Sequence, residues 1–174
     1  MKNYSWDTTF VELFNRCLAR YMAGDIDFEN YYTEADLEFL DSIGYQKREF
    51  FDFVEDLGDG GEPSLTTAVM IASVRRDYLH HEMDGEKSSD VVRPEDLPAR
   101  DARLEGVAWL PRIIAKAKGK LRGELDPDIM YGCGGDRAFL SRHNIAPADF
   151  LRAVYSLEGD EERIAAYVRE SRAG

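Results

Sequence analysis

The feature that most constrains this chain is a match to itself at a fixed distance of 100 residues. Tyr31 meets Tyr131, Asp36 meets Asp136, Phe39 meets Phe139 and Leu40 meets Leu140. Phe50 then meets Phe150, Val54 meets Val154 and Leu57 meets Leu157, giving seven identities in the 27 positions from 31 to 57 with no gap. The apolar matches fall at the three- and four-residue steps of a buried helix face, so the pattern points to two copies of one small helical unit. The first helices align at a shift of 99, pairing Phe10 with Trp109, Phe14 with Ile113, Met22 with Leu121 and Gly24 with Gly123. The competing explanation is coincidence between two amphipathic stretches.

Local signals agree with helices throughout. Phe10, Val11, Phe14, Leu18 and Tyr21 recur at helical spacing after Asp7, and Gly24 supplies a stop. Thr33 stands before Glu34 and Asp36 as an N-cap, and a short helix through Leu37 and Leu40 ends at Gly44. Further helices are expected over about 47–57 and 65–81. The polar MDGEKSSD, with Pro94 and Pro98, reads as a surface linker. Beyond it the plan repeats: a helix with Pro111 in its first turn and Gly123 past its end, a short helix carrying Phe139 and Leu140, one starting at Pro147, and a last one after Gly159. No segment alternates long enough for a convincing strand. The expected fold is all-α, two related four-helix units packed as an internal pseudo-dimer with no significant β-sheet. Residues 7–81 form the first unit, 82–103 the linker and 104–172 the second, or the whole is one compact domain.

Charge separates the copies. The chain carries a formal net charge of −12, with 9 Lys and Arg against 22 Asp and Glu in residues 1–99 and 13 against 12 thereafter. So acidic a balance argues against nucleic acid or an anionic membrane as the main partner. The asymmetry fits two halves drawn together or a head-to-tail homodimer; a solvated acidic surface is the plainer reading. Nine Phe, nine Tyr and two Trp supply ample core material, which excludes disorder along the whole chain. Two cysteines make no disulfide framework, and the opening MKNYSWDTTF lacks the charged-then-apolar pattern of a signal peptide. The longest strongly apolar stretch, Ala68 to Ala72, cannot span a bilayer. The expected setting is a reducing cytoplasm, with no membrane and no cofactor.

The second copy carries a run that can be matched as a string: WLPRIIAKAKGKLRG, then Tyr131, Cys133 and DRAFLSRHNIAPADFLRAV. It resembles a family of small bacterial helical proteins known as domain of unknown function 5069. The family pattern falls on Leu110, Pro111, Arg112, Gly123, Tyr131, Cys133, Asp136, Phe139 and Leu140, over about residues 104–170. Gly134 stands where family members tend to have Pro. The first half lacks the Leu-Pro-Arg start and has Thr33 in place of the cysteine. The resemblance implies a helical fold and carries no established activity.

Three groups of residues invite a chemical reading. Cys133 sits in YGCGGD at an expected helix N-terminus, a setting that suits a reactive sulfur, with Asp136 and His143 near in sequence as candidate bases. Against this, the repeat places it where Thr33 caps a helix, which makes it a structural position. Arg112, Lys116 and Lys120 fall four apart on one helix face, with Lys118 and Arg122 alongside and no acid between 106 and 123. That stripe either meets the acidic copy or water, or holds a small anion or phosphate-bearing ligand. His80 and His81 point about 100° apart on a helix and cannot easily share a metal. YGCGGD lacks the Lys and Ser/Thr of a P-loop, and DGDGGE lacks the spacing of a calcium loop, so no metal site is expected.

The favoured reading is a non-enzymatic binding or protein-interaction module. Its site would be a seam where Arg112, Lys116 and Lys120 meet Tyr31 and Tyr131. A small enzyme or redox protein using Cys133 is the alternative, and a structural dimerisation module the third.

Overall fold

The computed structural model describes residues 4–171. The expected end of the second copy at residue 172 and the first three residues of the opening segment lie outside that range. Among the described residues eight α-helices dominate: α1 Trp6–Met22, α2 Glu34–Ser42, α3 Lys47–Gly60, α4 Leu65–His81, α5 Leu110–Arg122, α6 Gly134–Arg142, α7 Pro147–Ser156 and α8 Glu161–Ser171. The sole sheet among the described residues is an antiparallel pair, β1 Arg103–Leu104 with β2 Val107–Ala108. Two-residue strands are too short to register as alternation. The fold is therefore all-α in its bulk.

The chain divides into two compact units, residues 1–76 and 77–174, with the boundary inside α4. In the first, α1 packs on α3. Phe10, Phe14 and Phe50 form its centre, with Phe10 and Phe50 edge to face at 4.9 Å. The fully buried Arg75 lies against the turn after α2, where Gly44 has φ 78° and an added Cβ would stand 2.7 Å from the guanidinium carbon. Only glycine fits there. Thr33 closes α2 as the sequence suggests: its Oγ1 accepts from the Asp36 amide at 3.2 Å, and the Asp36 carboxylate accepts from the Thr33 amide at 2.8 Å.

In the second unit, α5 packs on α7, around Ile113, Ile114, Ala117, Phe150, Leu151 and Val154. Gly123, at φ 71°, closes α5. The segment 82–103, expected as a linker, belongs structurally to this unit. The Val92 amide donates to Glu124 O at 2.7 Å and the Asp126 amide donates to Val92 O at 3.0 Å, while Leu97 is buried. Such backbone pairing leaves no trace in side-chain periodicity.

Helix ends repeat at the 100-residue shift. Glu34–Ser42 corresponds to Gly134–Arg142, and Lys47 to Pro147. Burial in the first helices is in phase at 100 as well, not at 99: Phe10, Leu13, Phe14 and Cys17 are buried, as are Leu110, Ile113, Ile114 and Ala117. No helix among the described residues is long and apolar enough to cross a membrane.

Candidate functional site

The site grows from the start of α5. Trp109, its N-cap, sits in the left-handed region at φ 71°, a costly conformation for a side-chain-bearing residue. From there its indole lies across the first turn of α6. A Cβ on Gly135 would come within 2.7 Å of the ring, so glycine at this position lets the tryptophan approach. The indole Nε1–H donates to Asp136 Oδ1 at 3.0 Å.

Asp136 is fully buried in the first turn of α6 and is held from three sides. The Gly132 amide donates to its Oδ2 at 3.0 Å, and the Lys116 ammonium, arriving from α5, makes an ion pair with the same oxygen. Lys116 is itself 4% exposed. Its Nζ also donates to Cys133 Sγ at 3.2 Å. Cys133 is the N-cap of α6 but makes no capping bond through its side chain, so its sulfur faces the lysine instead. Arg137 Nη1 donates to Gly132 O at 2.7 Å and the Tyr131 hydroxyl donates to Pro147 O at 2.7 Å, which pins the loop that carries the cysteine. Burial, with the nearby Asp136 charge, holds the Tyr131 phenol well above its ordinary range.

Cys133, Lys116 and Trp109 open onto a cleft of about 240 Å³, with Arg100, Arg112 and Asp128 also on its wall. Arg112 Nη1 donates to Pro98 O at 2.8 Å and its guanidinium stands 6.0 Å from the Trp109 ring centre. Arg112 is thus held in place while remaining part-exposed, and Arg100 is exposed.

The other sequence candidates lie elsewhere. Lys120 is buried in α5 and does not line the cleft. Lys116 and Lys120 are therefore interior residues and not a stripe presented to water; four-residue spacing reveals a shared face but not which way that face points. His143 caps the far end of α6, about 15 Å along the axis from Cys133 at the usual helical rise. There its Nδ1 bonds Phe139 O at 2.9 Å, and the ring lies against Phe139 at a tilt of 39°. The amine of Lys116, not that imidazole, is what neighbours the thiol. Tyr31 belongs to the first unit, where its buried ring lies under Arg20 at 4.4 Å. His80 and His81 are exposed at the end of α4. Among the described residues no group of three or more His, Cys, Asp or Glu is arranged to hold a metal ion.

Trp109, Gly135, Arg100 and Asp128 were not evident from sequence. The available signal was the 100-residue shift itself: Arg16 pairs with Asp36 at 2.5 Å, which puts Lys116 opposite Asp136.

Comparison with known proteins bears on this same region. No curated protein and no solved structure matches the chain. Residues 95–173, which include every member of the cleft from Leu97 to Cys133, match a family model described as Domain of unknown function (DUF5069). The matched stretch runs from just before β1 into the last helix, and over it the chain is similar to that family.

Proposed function

We propose that the chain is a duplicated helical protein whose second copy is a non-enzymatic binding module for a small anion, a carboxylate- or phosphate-bearing ligand. The ligand would sit in the cleft above Cys133. The observation that carries this reading is the cleft's charge: Arg100 and Arg112 line it against Asp128, with Lys116 balanced by Asp136 behind the wall, in a protein of net −12. Cations gathered in one concavity of an acidic molecule focus an attractive field for anions. Arg112 offers a planar fork already fixed by Pro98 O and Trp109, so little side-chain freedom is lost on binding.

The test is the melting temperature of the full chain with increasing inorganic phosphate. A saturable rise is expected, worth about 2.7 kcal/mol at a hundred times Kd. Arg112→Glu and Arg100→Glu each abolish the rise while the ligand-free protein still melts cooperatively. A rise that survives both substitutions contradicts the reading. The competing enzyme reading, with Cys133 as nucleophile, requires Cys133→Ser to remove function; the binding reading expects that variant to keep its phosphate response. A purely structural dimerisation module predicts tight self-association with no response to phosphate.

A further inference from the structure

We propose that Cys133 and Lys116 form an oxidation-dependent covalent link, a nitrogen–sulfur bond made when a peroxide oxidises the thiol. The inference is independent of anion binding: it needs three side chains and an oxidant. The three are Cys133, half-buried at the cleft wall; Lys116, its Nζ 3.2 Å from the sulfur; and Asp136, ion-paired to that same Nζ. The sulfur faces a cleft of about 240 Å³, ample for hydrogen peroxide. The amine stands close to contact distance of the sulfur and is fixed there by burial and by its carboxylate partner.

The chemistry balances in two steps. Cys133 Sγ attacks one oxygen of hydrogen peroxide and the O–O bond breaks. The departing hydroxide takes the thiol proton as water, leaving a sulfenic acid; sulfur loses two electrons and peroxide gains them. Lys116 then passes one ammonium proton to the Asp136 carboxylate and attacks Sγ as the amine. The S–N bond forms, the S–O bond breaks, and hydroxide leaves with a second nitrogen proton as water. Condensation of a sulfenic acid with a nearby nitrogen is established chemistry for backbone amides; here a side-chain nitrogen, Lys116 Nζ, stands 3.2 Å from the sulfur. The first unit makes the internal contrast. There Thr33 occupies the cysteine's position and Arg16 the lysine's, and neither can take part in such a bond.

The experiment treats the full chain with hydrogen peroxide and maps proteolytic fragments by mass. The expected product joins the fragment containing residue 116 to that containing residue 133, two hydrogens lighter than their sum, and dithiothreitol separates them. Lys116→Arg keeps the ion pair but should give a sulfenic acid at Cys133, trapped by dimedone, with no joined fragment. Asp136→Asn should slow joining at least tenfold, with the sulfenic acid accumulating. Cys133 oxidised in the unsubstituted protein with no joined fragment overturns the proposal, as does a Cys133 that peroxide leaves unchanged.

Discussion

Arg16–Asp36 in the first unit and Lys116–Asp136 in the second occupy the same register 100 residues apart, yet they are physically different objects. The first pair is wet: Arg16 is 49% exposed and Asp36 13%. The second is dry, at 5% and 0%. In the first unit the carboxylate doubles as part of a capping box with Thr33. In the second the cap is Cys133, the carboxylate turns to the indole and the ammonium, and a cleft opens beside them. The difference is that between a helix end stabilised for its own sake and one whose polar groups have been drawn inward around a sulfur.

The largest separation between the two should appear on removing the cation. Lys116→Met leaves the buried Asp136 carboxylate without its counter-charge and is expected to cost about 3–5 kcal/mol. Arg16→Met, at the exposed counterpart, should cost under about 1 kcal/mol. Urea denaturation of both variants decides it; equal losses would mean that the burial difference has no energetic consequence. Next comes the first turn of the two short helices. Gly135→Ala pushes a methyl into the Trp109 ring and should cost about 1–3 kcal/mol, together with a changed indole fluorescence. The first unit already has Ala at residue 35, so the reverse substitution Ala35→Gly should cost only about 0.5–1 kcal/mol.

A smaller contrast concerns the caps. Thr33→Ala should lose about 1 kcal/mol with the Asp36 amide bond. Cys133→Ala, which removes no capping bond, should lose less. The smallest effect at neutral pH is in the thiols. Cys17 is fully buried, and desolvation pushes it up to about 11 from an ordinary 9.0. Because the folded form holds its proton more tightly, this contribution to stability is complete below about pH 9 and is lost as pH rises towards 11. Iodoacetamide at pH 7.5 should therefore label Cys133 well before Cys17, and labelling at Cys17 should climb only at alkaline pH.

Most of the helical architecture was legible because amphipathic spacing and stop signals are local. Gly24, Gly44, Gly123 and Pro147 mark real helix ends. What escaped was non-local. Residues 82–103 read as a linker since their polar composition conceals the Val92 backbone pairing with 124–126. The candidate site was legible by residue but not by arrangement. Cys133, Asp136, Arg112 and Lys116 all stood out, but Lys116 seemed to belong to a solvated stripe and His143 to the cysteine. Sequence proximity suggested the histidine, and the nine residues of α6 carried it away.

The two tryptophans give the most direct test, one indole in each unit. Phosphate titrated into the full chain, followed by the indole N–H resonances of Trp109 and Trp6, should move the Trp109 signal saturably and leave Trp6 in place. Equal movement of both signals, or no movement of Trp109 at saturating phosphate, would contradict an anion site built on the second copy.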